Sequence, residues 1–351
     1  MIKIVTVFNS LNPGSLLQAI SLYEVLTEKY SGVYFLDLKI RNPYLSGIKL
    51  SIKHMLKFRI TDSIRQLRMP FLYKSILTKY SITTKSNEKD IFVLGSDEIW
   101  NVSRKDMLEH KKLWGIGLDL NNCISYAPSI NNSTVNDIEK NTFVSVALNK
   151  MFSISVRDSY SKEVLNEIVD RDISLVCDPT MLLGIDKLKK MQESNPYEQY
   201  IFVYGPERCF SQEAINQIKC FAKEQNKKLI SYYFYHSWCD KVLYGSPMEF
   251  LGLVSGADYV FTSTFHGTIF SIMYNKKFVV FGDKNNKVQE ILNLFNLNVK
   301  YSIDKQLSSI LFGEYNYERI NNLIFEYQQY SKDYLFQSIE KRLYTVNSEE
   351  N

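Results

Sequence analysis

His266 is the side chain with the clearest capacity for chemistry, and it lies in the run Ser263-Thr-Phe-His-Gly-Thr268. A run of β-forming residues, Tyr259–Thr262, precedes it, and a helical stretch, Thr268–Tyr274, follows. In a doubly wound α/β sheet such a loop lies at the carboxyl end of a strand, where ligands bind, and the start of the next helix favours an anion. The sequence therefore predicts an anion site at His266. The alternative is that His266 only caps the helix.

Hydroxyl donors and cations are available to the same site. The residues beside His266 that supply donors or close backbone approach are Ser263, Thr264, Gly267 and Thr268. Arg157 ends a predicted strand and can clamp a carboxylate or a phosphate, although it could equally form a salt bridge between domains. Lys287 follows a polar loop and is expected near the same cleft. We predict that these six residues bind an anionic donor.

Two adjacent carboxylates, Asp97 and Glu98, follow the apolar run 90–94 in the stretch Gly95-Ser-Asp-Glu-Ile-Trp-Asn101. Carboxylates at a strand end can act as acid or base or bind sugar hydroxyls, and an aromatic ring can stack on a sugar. The alternative is that Ser96 or Asp97 caps a helix. The residues predicted to bind an acceptor are Asn12, Ser15, Trp100 and Asn101.

These residues need a scaffold of alternating strands and helices. The chain of 351 residues is long enough for about two domains of roughly 150 residues each. Asp178-Pro179 ends a strand and redirects the chain, which predicts a boundary there. We expect an α/β fold with two Rossmann-like domains facing across a cleft: residues 1–177 on the acceptor side and 178–315 on the donor side. A long amphipathic helix in residues 316–351 is expected to pack back across both domains.

Composition narrows the function classes. The net charge of +4 is too small to indicate a nucleic-acid partner. The five cysteines form no CxxC pair and are expected to be reduced and mostly buried in a cytoplasmic protein: Cys123, Cys177, Cys209, Cys220 and Cys239. A strand is predicted almost at residue 1 and no apolar run reaches 18 residues, so neither a secretory signal nor a membrane span is expected. No His, Cys and Asp cluster has metal-ligand spacing, so no metal is expected.

The segment from Lys49 to Lys79 is strongly basic and carries a single acid, Asp62. Apolar residues alternate with its charges in a manner typical of amphipathic helices. The segment is either a solvated helix face or a patch that meets the inner face of an anionic membrane or a lipid-linked substrate.

Taken in order, these stretches resemble the polysaccharide pyruvyl transferase family. The motifs that carry the resemblance are Asn12-Pro-Gly-Ser-Leu-Leu-Gln18, Gly95–Asn101, Ser125-Tyr-Ala127, Ser155-Val-Arg157, Asp178-Pro-Thr180 and Thr262–Thr268, with Asn286-Lys-Val288 after them. The resemblance implies two Rossmann domains of the GT-B type with the active site between them. It also implies transfer of a pyruvyl group from phosphoenolpyruvate, as co-substrate and with no cofactor, to a sugar. The product is a ketal on a surface polysaccharide or its polyprenyl-linked precursor.

For this reaction we expect His266, Asp97 and Glu98 to be catalytic. Two positions depart from the family pattern, which often has arginine where this chain has Thr264 and Lys287. Loss of the first arginine removes a bidentate anion clamp, for which Arg157 or Lys287 would have to compensate. Two other functions stay open: a GT-B glycosyltransferase that uses a nucleotide sugar, and a non-catalytic family member that binds a sugar.

Overall fold

The computed structural model describes residues 1–40, 60–282, 286–313 and 315–349, together with Leu45, Ile48 and Ile52. The side chains of residues 60–63, 286 and 347–349 lie outside that description. Two sheets organise the described chain, and the paired strands within each are parallel.

The first sheet has the strand order β3-β2-β1-β4-β5. Its strands are β1 (Ile2–Val5), β2 (Val33–Leu36), β3 (Ile82–Thr83), β4 (Ile91–Asp97) and β5 (Cys123–Pro128). Two more parallel strands, β6 (Ile154–Val156) and β7 (Ile173–Leu175), continue beside β5 through a bridge between Ile124 and Ser153. Every residue of β1 and β5 is buried, as expected for parallel strands that are covered on both faces.

The second sheet repeats this arrangement with the order β10-β9-β8-β11-β12. Its strands are β8 (Tyr200–Tyr204), β9 (Lys228–Tyr232), β10 (Lys241–Leu243), β11 (Tyr259–Thr262) and β12 (Lys277–Val280). In each sheet the strand order reverses beside the first strand of that sheet, between β1 and β4 and between β8 and β11. Doubly wound sheets bind ligands at such points, outside the carboxyl ends of the strands.

Helices connect the strands. Those up to residue 166 are α1 (Pro13–Thr27), α2 (Ile60–Leu77), α3 (Lys105–Leu108), α4 (Val135–Glu139), α5 (Phe143–Lys150) and α6 (Ser159–Asn166). Those that follow are α7 (Pro179–Leu183), α8 (Ile185–Met191), α9 (Gln212–Glu224), α10 (Pro247–Gly256), α11 (Phe265–Met273), α12 (Asn286–Leu294), α13 (Leu307–Leu311) and α14 (Tyr317–Glu349). Asn12 and Ser246 cap α1 and α10 with their side chains, and a proline takes the first helical position of each.

Buried apolar side chains join the two sheets. One core runs through both, and a second covers the other face of the first sheet. The shared core includes Leu16 of α1, Met181 of α7 and Leu251 of α10, and α1 packs on both α7 and α10. The junction between the sheets is therefore largely a packed interface, and the polar site described below lies at its strand ends.

The C-terminal helix α14 crosses from the second sheet to the first. Ile320 and Ile324, near its start, belong to the shared core. Farther along, Tyr334 donates its hydroxyl to Ser125 O at 3.1 Å, and Arg342 Nε donates to Asn122 Oδ1 at 2.6 Å. A continuous helix of 33 residues thus fastens the strand region around β5 from outside.

The predicted fold class is confirmed: an α/β protein with two Rossmann-like sheets and a long C-terminal helix. The strands of the first sheet lie within residues 1–177 and those of the second within 178–315, while the domain boundaries themselves stay predictions. The helix predicted from Thr268 begins earlier, at Phe265. None of the helices in the described ranges is both long and apolar enough to cross a bilayer.

Two sequence expectations are met only in part. The five thiols are unpaired, but only Cys123 and Cys177 are buried and Cys220 is exposed. Within the basic segment, residues 60–77 form α2, while positions 49–59 other than Ile52 lie outside the described residues.

Candidate active site between the two sheets

His266 is the second residue of α11, immediately after β11. The residue that caps this helix is Thr264, whose hydroxyl accepts a hydrogen bond from Gly267 N at 3.0 Å. His266 is therefore not the cap, and its ring points toward the other sheet. A Cβ atom added to Gly14, at the start of α1, would lie 2.5 Å from His266 Nδ1, so the imidazole packs directly on the backbone of α1.

Most hydrogen-bond donors in the loop and helical turn around His266 are already paired within that segment. Thr268 N and the Thr268 hydroxyl both donate to Thr264 O, each at 3.0 Å, and Gly267 N is held by the Thr264 cap. The amides of Gly267 and Thr268 are therefore already paired and Thr268 is buried, while their contacts with a donor stay predictions. Ser263 Oγ is buried and has no hydrogen-bond partner among the described residues, so its role as a donor-binding residue stays a prediction.

Arg157 lies at the centre of a buried charge cluster. Its Nη1 donates to Asp178 Oδ2 at 2.8 Å, and its Nη2 lies 3.5 Å from Asp97 Oδ1. The guanidinium also lies over the ring of Phe265, 4.6 Å from the ring centroid. Arg157 thus connects the first sheet to Asp178, at the start of α7, and to Phe265 in α11 of the second sheet. Arg157 pairs with Asp178 at the predicted domain boundary, whereas its role as an anion clamp stays a prediction.

Asp178 lies between Arg157 and His266. Its Oδ2 lies 3.7 Å from His266 Nε2, which is longer than a hydrogen bond and forms an ion pair only when the imidazole is protonated. Its Oδ1 accepts from the Thr180 amide at 3.0 Å and from the Thr180 hydroxyl at 2.7 Å. Asp178 is therefore held in place by α7, whose start it caps, while its other oxygen faces Arg157 and His266.

Asp97 and Glu98 end β4 and face different partners. Ser15 donates its hydroxyl to Asp97 Oδ2 at 2.7 Å, whereas Glu98 Oε1 lies 2.7 Å from Lys287 Nζ. The Glu98–Lys287 pair bridges the two sheets, because Lys287 belongs to α12. Neither carboxylate caps a helix. Asp97 has a positive φ of 72°, a strained backbone for a residue other than glycine, and such strain is common at functional sites.

The cluster perturbs the pKa values of its members. Burial alone would raise the pKa of Asp97, but Arg157, His266 and the Ser15 hydroxyl outweigh it and lower the pKa to about 2. Burial is likewise overcome at Asp178, where His266 and Arg157 hold the pKa well below its usual range. Both carboxyls are thus ionised at neutral pH. Their charge raises the pKa of Arg157 against the effect of its burial.

Two predicted acceptor residues lie elsewhere. Trp100 is fully buried, stacks on Trp114 with ring centroids 5.0 Å apart and donates Nε1 to Leu113 O, so it belongs to the second core and cannot stack on a sugar. Asn101 is also buried, and its Oδ1 accepts from Ser103 N and from the Ser133 hydroxyl. Both predictions are wrong, because the chain turns into the core directly after Glu98.

The other two predicted acceptor residues lie beside the cluster. Ser15 contacts Asp97 directly, while the side-chain oxygen of Asn12 caps α1 by accepting from the amides of Gly14 and Ser15. Whether either residue binds an acceptor stays a prediction. Thr264 is a predicted donor-binding residue, and its hydroxyl is engaged in the helix cap and in a contact with Thr262. Its role in donor binding stays a prediction.

Sequence reasoning missed two residues of the site. From sequence Asp178 predicts only a domain boundary, although an ionisable residue three positions after a strand is the same signal that singles out Asp97. Gly14 belongs to the motif Asn12–Gln18, and its closeness to His266 has no signal in a single sequence. Among the described residues, no group of three or more His, Cys, Asp or Glu side chains is arranged to hold a metal ion.

Two parallel Rossmann-type sheets, with polar residues gathered from the carboxyl ends of both, define a GT-B-like α/β protein. The family follows from the sequence: the family model described as polysaccharide pyruvyl transferase matches residues 12–285. The chain therefore belongs to the polysaccharide pyruvyl transferase family, a family of transferases. No curated protein matches it.

Solved structures share the fold at very low sequence identity. UDP-GlcNAc 2-epimerase from Neisseria meningitidis, solved with UDP-GlcNAc, has a TM-score of 0.53 and 11% identity, with 96% of this chain and 99% of that chain covered. Trehalose 6-phosphate synthase from Burkholderia multivorans has a TM-score of 0.53 and 7% identity, with 100% and 98% covered. UGT89C1 from Arabidopsis thaliana, solved with UDP-L-rhamnose, has a TM-score of 0.51 and 10% identity, with 99% and 98% covered. At such identities the likeness concerns the fold alone.

Proposed function

We propose that this chain transfers a pyruvyl group from phosphoenolpyruvate to two hydroxyls of one sugar, forming a pyruvate ketal on a surface polysaccharide or its polyprenyl-linked precursor. We place the reaction in the cytoplasm. Membership of the family supports the proposal, and one structural observation carries it. His266 and Lys287 of the second sheet meet Arg157, Asp97 and Glu98 of the first sheet in one cluster.

The donor is strongly anionic, so it needs the cations of this cluster. Arg157 and Lys287 are already paired with carboxylates. A donor that binds either cation must therefore displace at least one of these carboxylates. Glu98 is the carboxylate easiest to displace, because its side chain is the more exposed partner of a pair that spans the sheets. In the proposed complex the phosphate of the donor takes the place of Glu98 at Lys287. Glu98 is then free to face the acceptor.

Ketal formation consists of an addition to the double bond of the donor followed by a displacement of phosphate, and a sugar hydroxyl loses one proton in each step. In the first, a sugar hydroxyl loses its proton as it attacks C2 of phosphoenolpyruvate, and the methylene carbon gains a proton to become a methyl group. In the second, phosphate leaves with its bonding electron pair and the second hydroxyl, losing its proton, takes its place on C2. Glu98 is the proposed base for the hydroxyls, and His266, as imidazolium, is the proposed acid that protonates the departing phosphate.

Asp97 suits this chemistry as a charge partner better than as a base. A carboxyl with a pKa near 2 accepts a proton weakly at neutral pH, and both of its oxygens are already engaged. In the proposed mechanism Asp97 and Asp178 hold Arg157 in place, and Asp178 faces the Nε2 atom of His266.

The proposal is tested by replacing His266 with Ala and measuring phosphate release from phosphoenolpyruvate with sugar acceptors. Loss of a general acid lowers turnover by about 100-fold or more. His110→Ala is the matched control, because His110 lies outside the cluster, in the loop after α3. Near-wild-type turnover in His266→Ala would contradict the proposed role.

The two other functions are separated by ligand binding. The relatives solved with UDP-sugars keep a nucleotide-sugar glycosyltransferase open as an alternative for this fold. Thermal unfolding with phosphoenolpyruvate is compared with unfolding in a panel of UDP-, GDP- and CMP-sugars. Stabilisation by phosphoenolpyruvate alone supports the proposal, and stabilisation by one nucleotide sugar supports the alternative. Sugar binding without phosphate release would indicate a non-catalytic member.

A further inference from the structure

Helix α2 presents an apolar surface to the outside of the protein. Ile64, Leu67, Phe71 and Leu72 are 49%, 42%, 64% and 42% exposed. Ile64, Leu67 and Phe71 follow one another at helical spacing, so they share one face, which we call the outer face of α2. Large apolar side chains are rarely clustered on the exposed face of a helix without a binding role.

The opposite face of α2 is packed into the protein. Gln66, Met69 and Tyr73 are buried, and Met69 and Tyr73 belong to the core that both sheets share. The outer face is therefore carried on a helix that is anchored to the body of the protein.

Positive charge surrounds the outer face. The exposed basic residues of α2 and the turn that follows it are Arg65, Arg68, Lys74 and Lys79. Between residues 63 and 81 the sequence contains no Asp or Glu. An apolar stripe with a basic border and no acidic residue after Asp62 is typical of helices that lie in the interface of a bilayer.

We propose that the outer face of α2 docks on an anionic membrane surface. The apolar side chains enter the boundary between headgroups and acyl chains, and the arginines and lysines pair with lipid phosphates. A second copy of this chain is a poorer occupant. A two-fold interface would place this basic surface against itself, with like charges opposed.

The membrane surface gives the proposed reaction a location. A polyprenyl-linked acceptor is held in the bilayer, and α2 packs on the same core as the two sheets that carry the charge cluster. Docking would bring the cluster close to such an acceptor. This consequence rests on the proposed function, whereas the docking itself is measured without any turnover.

The test is flotation of the full-length protein with vesicles of neutral phosphatidylcholine and with vesicles that also contain about one-third phosphatidylglycerol. We expect binding to the anionic vesicles only, and weaker binding as salt is raised from 50 to 500 mM. Arg68→Ala with Lys74→Ala should weaken binding about 30-fold, since each basic residue near the surface contributes roughly a fivefold factor. Ile64→Ser with Leu67→Ser should weaken it by at least about tenfold.

Matched controls come from other surfaces of the protein. Lys219→Ala with Lys223→Ala removes two exposed lysines from α9, and Leu294→Ser with Ile303→Ser removes two exposed apolar side chains. Both should bind as the wild type does, and thermal unfolding checks that every variant is folded. The proposal is overturned by absence of binding, by equal binding to neutral vesicles, or by equal losses in the controls. Concentration-dependent dimerisation that the α2 variants abolish would also overturn it in favour of a second copy.

Discussion

At the scale of single residues, the site is a set of charges that neutralise one another. Arg157 is shared between Asp97 and Asp178, and the same Asp178 faces His266. Buried ions are tolerated only when they are paired, so each member depends on the others. The proposed donor would therefore bind by displacing a carboxylate from its cation, because the cations of the cluster are already paired.

The depressed pKa of Asp97 has a consequence for stability. The folded state holds this pKa at about 2, below the ordinary value of 3.8, so the ionised carboxyl stabilises the fold above pH 4 and this contribution is lost as the pH falls toward 2. The shift corresponds to about 2 kcal/mol. Asp97→Asn should therefore unfold more easily than the wild type at pH 7, and the difference should shrink between pH 5 and pH 3.

Denaturant unfolding across that pH range measures the effect. Asp170→Asn, at an exposed position outside the cluster, is the matched control and should keep the pH dependence of the wild type. A constant difference between Asp97→Asn and the wild type from pH 7 to pH 3 would contradict the assigned cause.

At the scale of elements, two helix starts meet at the charge cluster. The first turn of α1 lies against the first turn of α11, and Gly14 makes this contact possible because it has no Cβ atom. His266 is thereby held between the start of α1 and the carboxylate of Asp178. Its position depends on helix packing as much as on its own loop.

Gly14→Ala should disturb this contact although alanine is the better helix former. The added Cβ atom would lie 2.5 Å from His266 Nδ1 and 2.7 Å from Cγ, so the ring or the helix must move. We expect a loss of about 1–3 kcal/mol in unfolding free energy, as for other overpacked sites, and a strong loss of turnover.

A double variant separates the clash from any other effect of Gly14. When His266→Ala is added to Gly14→Ala, the clash disappears and the stability lost in Gly14→Ala should return. Additive losses in the double variant would show that the contact with His266 is not the cause.

At the scale of the whole molecule, the two sheets are joined by an apolar core and by charge pairs at the strand ends. Lys287 and Glu98 form one such pair, and Ser159 N donates to Glu290 Oε1 at 2.7 Å in another polar contact between α6 and α12. If the donor phosphate replaced Glu98 at Lys287, one contact between the sheets would be lost. Donor binding would therefore change how the two sheets pack together.

Variants of this pair should affect the donor in opposite directions. Lys287→Met removes a cation and should weaken phosphoenolpyruvate binding by about tenfold or more. Glu98→Gln removes the competing carboxylate, so it should bind phosphoenolpyruvate more tightly than the wild type while losing turnover. Titration calorimetry measures both affinities.

A second ion pair provides the control. Glu28→Gln removes one partner of the Lys187–Glu28 pair, which lies outside the cluster, and should leave the affinity unchanged. Weaker donor binding in Glu98→Gln would contradict the exchange of partners at Lys287.

Much of the fold was predictable because its signals are local. Apolar runs, turn residues and helix caps alternate along the chain and predict strand–loop–helix units, and β11 has the bounds predicted for it. The placement of Arg157, Asp97, Glu98 and His266 near strand ends follows from the same reading. Parallel sheets collect such ends at one edge, so residues far apart in the chain were expected to meet.

The sequence by itself determined the family, the two-sheet architecture and most of the charged residues of the site. Only the tertiary structure decided that Trp100 and Asn101 turn into the core, that the amides of Gly267 and Thr268 are paired within their loop, and that Asp178 belongs to the cluster. Local sequence specifies which element a residue belongs to, because that depends on neighbours in the chain. The direction and partners of a side chain depend on residues from other elements, and these meet only when the sheets pack together.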